Sequence, residues 1–535
     1  LLKFNYLNQQ MTQTRLMRQN WQALWRYRSQ LLVGFLCFLH LVPIWGFTFI
    51  PTQDGISHLY NSYILKEWKN PDFTKFHQVY DLNLTLFPNW SNYAFFYLAL
   101  HVLSPLIAEK IYVSICVLLF PFSFYYLLTA INKRLRIFTL LGFLYSYNYL
   151  MQMGFYNFTL AVPLCLISIG YWWRHKACLG ITQVAVLNLL IISTYFSHFG
   201  PFTMLVFTLS FFACAHFLEH LSDWRNSLRK LLSFLGYLTP TFFILVNTIL
   251  TNSETLYPEK WLERHKSQQF SHYLSWAKLW DNFLKVEPLV YFNDSYIIVS
   301  KILLIFICLC VIWTIIERIR QRQIFSPQDV FLILAVILVC LYFKLPWRYG
   351  SPGWINPRIN LFVFPILLGW FIVPKSLRFR QLLTGTMLLM ALWHLGLTTR
   401  DYHLLNKDMS EFMAGAKLIK PNSSISILET ASESVGAEHH GPIKYLSPFY
   451  HGVCYYCFEN GSHYVANYEP KYHYFPLHYK GGNWKFKYVN DITDYIITWR
   501  ANDQHPDVKS LKQNYRLIYQ TENLKLYQYS ASKSY

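Results

Sequence analysis

Charged residues are scarce in this chain, and acidic residues are scarcer than basic ones. Only 14% of the 535 residues are charged, whereas 53% are hydrophobic and 19% are aromatic. A soluble globular protein normally carries about 25% charged residues. This scarcity excludes an ordinary soluble fold over most of the chain, where apolar stretches of membrane-spanning length recur. We therefore expect a polytopic α-helical membrane protein whose main solvent is lipid.

Three other features are missing from the sequence. No Gly-rich loop of the kind that cradles nucleotide phosphates is evident, so a nucleotide site is not expected. No internal repeat is visible, although transporters are often built from repeats. No cleavable signal peptide is evident either, because the first 30 residues are polar and basic and the first apolar stretch is full length.

The net charge of +19 does not indicate a nucleic-acid partner. The basic residues are distributed among short connections between apolar stretches instead of being gathered in one domain. This alternation is typical of the cytoplasmic loops of membrane proteins. The clusters lie at 133–136, 174–176, 225–230, 318–322 and 375–380. We therefore expect these clusters and the basic segment 1–30 to be cytoplasmic.

The apolar stretches predict about eleven or twelve crossings within a transmembrane domain at 31–398. The apolar stretch 91–109 decides between the two counts, since a crossing there adds one span. Such a crossing would also move the basic cluster 133–136 to the outside, against the charge pattern. The other predicted spans are 31–50, 111–131, 135–151, 154–172, 179–197, 200–219, 229–250, 297–317, 328–344, 357–374 and 380–397.

The expected external face collects three loops, 51–90, 251–296 and 345–357, and a terminal domain at 399–535. The terminal domain reads as a small α/β fold of about 130 residues. It has a helix-like stretch at 411–420 and strand-like stretches at 424–428, 495–499, 515–519 and 524–529, the last two arranged as a hairpin. Its segment 464–479 is rich in Tyr and His, and either binds a glycan by ring stacking or is an irregular loop packed on the membrane face.

Asp54 and His58 are the first candidates for chemistry. They follow the first predicted span directly, in the sequence Pro-Thr-Gln-Asp-Gly-Ile-Ser-His at 51–58, and on a helix they would share a face. A carboxylate at the membrane surface can act as a general base on an acceptor hydroxyl, or can hold a divalent cation such as Mg²⁺ or Mn²⁺. Gly55 permits a close backbone approach. The alternative is a solvated loop that merely ends a helix.

Four further side chains lie in polar turns expected on the same face. Arg358 starts a predicted span, and Arg348 precedes it in a loop rich in Gly, Pro and Trp. A guanidinium matches the geometry of phosphate oxygens, although it can also anchor a helix at the lipid interface. Asn157 and His198 occupy two other turns and are candidate contacts for sugar or phosphate, with a structural role for His198 as the alternative.

The ten cysteines give little indication of redox or metal chemistry. Eight lie in or beside apolar stretches, where cysteine is usually a small core residue. Cys454 and Cys457 form a Cys-Tyr-Tyr-Cys sequence in the terminal domain. A disulfide or two free thiols is expected there in preference to a metal site with His451 and His463.

The order of these motifs resembles the GT-C superfamily of integral-membrane glycosyltransferases over about residues 25–400. The likeness rests on the basic N-terminus, the single span before Asp54, the Gly-Phe-Tyr-Asn-Phe turn at 154–158 and the Gly-Trp-Ile-Asn-Pro-Arg segment at 353–358. It implies a multi-span helical fold and transfer of a sugar from a polyprenyl-phosphate carrier. It also implies an essential acid in the first external loop, which by position is Asp54.

One departure from that pattern concerns a second acid. Many relatives pair two acids in this loop, whereas Gly55 follows Asp54 here, so Asp72 or Asp81 would have to supply the second carboxylate. The dependence on a metal is therefore open.

We predict a glycosyltransferase that moves a sugar from a polyprenyl-phosphate carrier to a glycan, lipid or protein acceptor. The expected location is the outer face of a bacterial inner or plasma membrane, with the N-terminus cytoplasmic and the C-terminus outside. Asp54 would activate the acceptor or hold a cation, and Arg358 with His58 or His198 would stabilise the departing phosphate. A transporter or flippase of lipid-linked glycan and a non-enzymatic cell-envelope assembly protein are the alternatives.

Overall fold

The computed structural model describes residues 30–251, 270–323, 325–350, 353–428, 443–458, 460–472, 474–480 and 493–530. Four predicted features lie partly outside these residues, and one of them is the terminal domain, of which 429–442, 459, 473, 481–492 and 531–535 are not described. The other three are at the N-terminus and in two loops. They are the basic N-terminal segment, the long loop at 251–296 and the loop at 345–357, of which residues 1–29, 252–269 and 351–352 are not described.

Helices make up most of the described chain. The apolar runs rich in Leu, Ile, Val and Phe form the longest of them, because a helix satisfies all its backbone polar groups internally. In chain order they are α1 Gln30–Trp45, α2 Gly55–Lys66, α3 Thr74–Val79, α4 Trp90–Ala99, α5 Pro105–Ile131, α6 Leu140–Ser146, α7 Tyr149–Gln152, α8 Tyr156–His175, α9 Ile181–Ser197, α10 Phe199–Glu219, α11 Trp224–Tyr237, α12 Thr239–Thr251, α13 Trp276–Leu284, α14 Tyr296–Arg320, α15 Asp329–Lys344, α16 Ile355–Leu367, α17 Leu377–Phe412 and α18 Pro506–Asn514.

Four of the described helices are long and apolar enough to cross a membrane: α5, α10, α14 and α17. The pair α11 and α12, bent by 49° at its break, raises the number to five if it counts as one span. α1 and α9 are apolar but shorter. These helices indicate a membrane protein, and the predicted eleven or twelve crossings are not confirmed.

Two apolar stretches, the predicted span 135–151 and the stretch 91–109 whose crossing the sequence left open, are broken in the structure. The stretch 135–151 is divided into a 3₁₀ helix at Lys133–Thr139 and the short helices α6 and α7. Asn148 causes the second break, because its side chain accepts a hydrogen bond from the backbone N–H of Met151 and so begins α7. The stretch 91–109 is likewise interrupted between α4 and α5, where Ser104 precedes a proline at the start of α5.

The last long helix, α17, continues well past the predicted end of its span at residue 397. Its final turns bury Tyr402, Leu405, Met409 and Phe412, which recur every three or four residues and therefore form one face. The predicted helix-like stretch at 411–420 consists of the end of α17, at Phe412, and a 3₁₀ helix at Met413–Leu418.

The terminal region contains a five-stranded mixed sheet. Its strands are β4 Ser424–Ile427, β5 His463–Tyr464, β7 Tyr495–Trp499, β8 Tyr515–Gln520 and β9 Leu524–Tyr529, in the order β5-β4-β7-β9-β8. β4 runs parallel to β5 and β7, whereas β9 is antiparallel to β7 and β8. The predicted strands and hairpin are confirmed. α18 covers the sheet with Val508 and Leu511.

Two small sheets connect distant parts of the chain. β1 (Tyr80–Leu82) pairs antiparallel with β6 (Leu477–Tyr479), so the first predicted loop is joined to the terminal region. β2 (Ser271–His272) likewise pairs antiparallel with β3 (Arg348–Tyr349). One continuous hydrophobic core includes residues of both the first loop and the terminal region, such as Ile56 and Tyr456. Cys454 and Cys457 are buried in this core as free thiols.

Candidate functional site

Asp54 is held by close contact between two backbone segments. Its N–H donates to the carbonyl oxygen of Met153 at 3.0 Å, and Asp54 then serves as the N-cap of α2. Gly154 has φ +83°, and a Cβ there would lie 2.1 Å from the backbone nitrogen of Gly55. A Cβ on Gly55 would lie 2.3 Å from the Tyr156 hydroxyl. Only glycine fits at either position, and the turn at 154–158 therefore rests directly on the Asp54 loop.

The carboxylate of Asp54 is buried but is not used for capping. An N-cap aspartate normally accepts a hydrogen bond from the backbone of its own helix, and Asp54 accepts none there. Its Oδ1 instead receives Nε2–H of Gln53 at 3.2 Å and lies 3.7 Å from Nε2 of His451. Burial raises the pKa of Asp54 to about 7. The positive charge of His58 lowers this pKa, and the negative charge of Glu469 raises it further. This carboxyl group is thus poised to gain or lose a proton near neutral pH.

His58 forms a buried ion pair with a residue from the terminal region. Its Nδ1 lies 2.7 Å from Oε1 of Glu469, which has no exposed surface. The same nitrogen is 2.8 Å from the hydroxyl of Tyr93, and that hydroxyl donates to Oε2 of Glu469 at 2.6 Å. Burial lowers the pKa of His58, but the charge and hydrogen bond of Glu469 together with Asp54 outweigh burial and raise it. The Glu469 carboxylate, 2.7 Å away, therefore favours the charged form of His58.

His451 completes the cluster as a neutral imidazole. Burial, together with the charges of His58 and Lys471, lowers its pKa to about 3. Its ring stacks on Tyr468 with centroids 5.0 Å apart. The four residues Asp54, His58, His451 and Glu469 are called the acid–base cluster below. His58 pairs with Glu469 at 2.7 Å, Asp54 lies 3.7 Å from His451, and electrostatic interactions connect the two pairs.

Arg358 lies beside the same turn, in the first turn of α16. Its guanidinium carbon is 5.0 Å from the ring centre of Phe155 and 5.3 Å from that of Phe158. Its Nε is buried and has no hydrogen-bond partner among the described residues. His198 packs edge-on against Phe158 at 5.2 Å, and its pKa is well below the usual value because of burial and the Arg358 charge. A buried cation whose Nε has no hydrogen-bond partner among the described residues, next to a neutral histidine, is suited to receiving an anion.

An aromatic ridge connects Arg358 to the acid–base cluster. The ring of Phe475 is 6.1 Å from His58 and 4.9 Å from Tyr474, which stacks on Tyr472 at 5.3 Å. Tyr474 interacts electrostatically with both Arg358 and Glu469. The predicted aromatic segment 464–479 therefore packs against the predicted catalytic loop and supplies one of its acids.

Arg348 and Asn157 occupy different surroundings. Arg348 is half-buried on β3, opposite His272 of β2, and its charge reaches Tyr472 at the far end of the aromatic ridge. The side chain of Asn157 accepts hydrogen bonds from Ser91 and from the backbone of Asn92, and donates to the carbonyl of Asn89. Asn157 thereby fastens the start of α8 to the start of α4, a positioning role. His198 caps α10 by accepting the N–H of Gly200 at 2.9 Å.

The predicted motifs therefore lie together in the structure. The two acids proposed from the sequence as partners for Asp54 lie elsewhere. The turn at 154–158 contacts the loop at 54–58, His198 and Arg358, as the distances above show. Asp72 and Asp81 are both exposed, and it is Glu469 that lies beside Asp54 and His58. Glu469 was missed, and His451 was considered only as a metal ligand beside Cys454 and Cys457, because both are distant in sequence from Asp54. The signal that pointed to the region of Glu469 was the unusual Tyr and His content of 464–479.

The surroundings of Asp54 do not match a site for Mg²⁺ or Mn²⁺. Such cations prefer several oxygen ligands, commonly carboxylates. Asp54 instead faces an amide N–H and an imidazole, and both oxygens of Glu469 contact His58 and Tyr93. Among the described residues, a group of three with ligand atoms within 4.8 Å of one another is found elsewhere, at His216, Glu219 and His220.

Comparisons with known proteins add no family to this picture. No protein-family model matches the chain, and a search of curated proteins finds no significant match.

Proposed function

We propose that this protein is a membrane glycosyltransferase that moves a sugar from a polyprenyl-phosphate carrier to an acceptor hydroxyl. The acceptor is a glycan, a lipid or a protein, and the reaction takes place at the membrane face on which Asp54 lies. The observation that carries the proposal is the buried carboxyl of Asp54, whose pKa of about 7 suits a general base, together with Arg358 on the adjoining turn, whose buried Nε has no hydrogen-bond partner among the described residues.

In the proposed step, the Asp54 carboxylate removes the proton of the acceptor hydroxyl while the hydroxyl oxygen attacks the anomeric carbon. The bond between that carbon and the phosphate oxygen breaks, and the phosphate leaves with the bonding electrons. Attack from the face opposite the leaving group inverts the anomeric configuration. Polyprenyl phosphate is a good leaving group, so the step requires no nucleotide.

The other charged groups stabilise the phosphate as it departs. Arg358 lies next to the turn that holds Asp54, and its guanidinium offers paired N–H donors that match phosphate oxygens. His58 remains protonated because Glu469 is ion-paired with it, so it adds a positive charge close to Asp54. Preorganised charges of this kind are usually the largest single contribution to catalysis.

The proposed step is written without a divalent cation, since the groups around Asp54 do not form a suitable ligand set. Chelation gives a direct test. We expect treatment with EDTA to leave sugar transfer unchanged within about twofold, in contrast to metal-dependent catalysis, where a cation carries several kcal/mol of transition-state stabilisation. A large loss that added Mg²⁺ or Mn²⁺ restores would instead assign Asp54 as a metal ligand.

The decisive experiment compares Asp54→Asn with Asp81→Asn in the purified full-length protein. Asp81 is exposed on β1, in the same predicted loop, so its substitution controls for the loss of one negative charge. We expect Asp54→Asn to lower sugar transfer from a lipid-linked donor about 10²- to 10⁴-fold, and Asp81→Asn to have little effect. Normal turnover by Asp54→Asn would exclude Asp54 as the base.

The same preparation separates the transferase from a transporter or a scaffold. Mass spectrometry of the lipid fraction distinguishes a donor that has lost its sugar from a donor that has only crossed the bilayer. Movement of intact labelled lipid across a vesicle membrane, without chemical change, would favour the flippase. Binding of glycan with neither reaction nor movement would favour an assembly protein.

A further inference from the structure

A polar cavity lies at the far end of α10 from the turn that contacts the Asp54 loop. α10 begins beside His198, in contact with the Phe158 turn, and runs for 21 residues to Glu219. At 1.5 Å per residue it ends about 30 Å away. A cavity of about 210 Å³ lies there between the ends of α8 and α10 and the helix α11.

The lining of this cavity is strongly basic. We call the set Lys176, His216, His220, Arg229 and Lys230 the basic pocket. No acidic side chain is among the described residues that line the cavity. The acid next to it is Glu219, whose Oε2 is 3.6 Å from Nδ1 of His216 and whose charge also acts on Lys176. One carboxylate cannot balance three cations and two histidines, so the pocket attracts an additional anion.

The distribution of side chains on α11 favours a position of this pocket at a lipid interface. α11 is docked by its Ser227 hydroxyl, which donates to the carbonyl of His220 at 3.0 Å, and by Phe234, which packs on Trp172. Trp224, Leu232 and Leu235 remain exposed along the same helix. A helix with exposed large apolar residues on one side and basic residues on another is typical of the membrane surface.

We infer that the basic pocket binds the phosphate headgroup of an acidic phospholipid whose acyl chains lie along the exposed apolar residues of α11. Lysine and arginine meet the negative headgroup, and the two histidines offer N–H donors at the pocket wall. Basic pockets between helices at a membrane surface recognise acidic headgroups in this way. The inference does not depend on the proposed transferase activity, because the two sites lie at opposite ends of α10.

A metal ion is the competing occupant. The ligand atoms of His216, Glu219 and His220 lie within 4.8 Å of one another, as in a three-ligand metal site. The three neighbouring cations disfavour a divalent ion, however, whereas they favour a phosphate. The Lys176 ammonium, for example, is held at the pocket by the Trp173 ring, 3.4 Å from its centre.

The test measures lipid retention by native mass spectrometry of the full chain in detergent. Phosphatidylglycerol and phosphatidylcholine with the same acyl chains are added to the wild type, to Lys176→Gln/Lys230→Gln and to Arg320→Gln. Arg320 is an exposed basic residue at the end of α14 and does not line the pocket, so it is the matched control. Size-exclusion profiles check that each variant is folded, and Arg229→Gln replaces the double variant if that variant is not.

We expect the wild type and Arg320→Gln to retain phosphatidylglycerol in preference to phosphatidylcholine. The double variant should bind phosphatidylglycerol roughly thirtyfold more weakly, as expected for the loss of two lysine–phosphate contacts. Equal retention of the two lipids, or no loss in the double variant, would overturn the inference. Competition by inorganic phosphate at equal concentration would identify a free-phosphate site instead. Zinc binding that His216→Ala abolishes, without any lipid preference, would identify a metal site.

Discussion

At the scale of single residues, Asp54 illustrates how burial prepares a carboxyl group for proton transfer. The folded protein raises its pKa to about 7, so the carboxylate form that acts as a base predominates only above neutral pH. We predict that kcat/KM for sugar transfer rises with pH and has its midpoint near 7. A rate profile on the wild type measures this, and a midpoint near 4, the usual value for aspartate, would contradict it.

The ion pair of His58 and Glu469 gives a second prediction at this scale. Removing one partner of a buried pair leaves the other charge uncompensated, which costs about 3–5 kcal/mol. We predict that Glu469→Gln lowers both the thermal stability and the rate of sugar transfer. Glu67→Gln is the control, because Glu67 pairs with Lys66 in a partly exposed position, where a pair contributes about 0–1 kcal/mol. Equal thermal shifts in the two variants would contradict the structural role of Glu469.

At the scale of elements, the contact between two glycines holds the site together. Gly154 needs its positive φ and has no room for a side chain, since a Cβ would overlap the backbone of Gly55. We predict that Gly154→Ala lowers the melting temperature markedly and abolishes transfer, because left-handed backbone strain of about 1–2 kcal/mol adds to this overlap.

Gly385→Ala is the matched control for that substitution. Gly385 lies within α17, and a Cβ there would have no neighbour within 4 Å. Alanine is favoured over glycine in a helix by about 1 kcal/mol, so this variant should be as stable as the wild type or more so. A melting temperature that falls equally in both variants would show that the Gly154 contact is unimportant.

The helices and strands also show which elements could be predicted from the sequence and which could not. The four-residue spacing of Asp54 and His58 is that of one helical turn, and the structure has Asp54 as the N-cap of α2 with His58 inside that helix. The strand-like stretches of the terminal region were also predicted from the sequence. The length of the apolar stretch at 135–151 predicted one continuous span, which is wrong. The side chain of Asn148 interrupts the helix without lowering the average hydrophobicity much. Apolar length also missed the last turns of α17, whose buried face is apolar only at every third or fourth residue.

At the scale of the whole molecule, the site depends on docking between distant segments. Asn61 and Asn467 exchange hydrogen bonds through their side-chain amides, and β1 pairs with β6 nearby. No local pattern could have predicted this pairing, because it depends on the packing of the first loop against the terminal sheet. Glu469 was missed for the same reason, whereas Asp54 and Arg358 were found from short motifs.

Docking of the terminal region gives the last prediction. We expect Asn467→Ala to loosen its contact with α2, because the amide of Asn61 then loses its buried partner. Hydrogen exchange should become faster in both 55–66 and 477–479, and sugar transfer should fall. Asn502→Ala, in a loop before α18 remote from α2, is the control and should leave both segments as protected as in the wild type.

The bridge between Tyr93 and Glu469 joins residues that are 376 positions apart in the chain. During translation, Asp54 and His58 leave the ribosome long before Glu469 has been synthesised. A nascent chain therefore lacks one partner of the His58–Glu469 ion pair until residue 469 has been added. If the proposed function is correct, we expect a product truncated before residue 469 to be inactive in sugar transfer even when its helices have inserted.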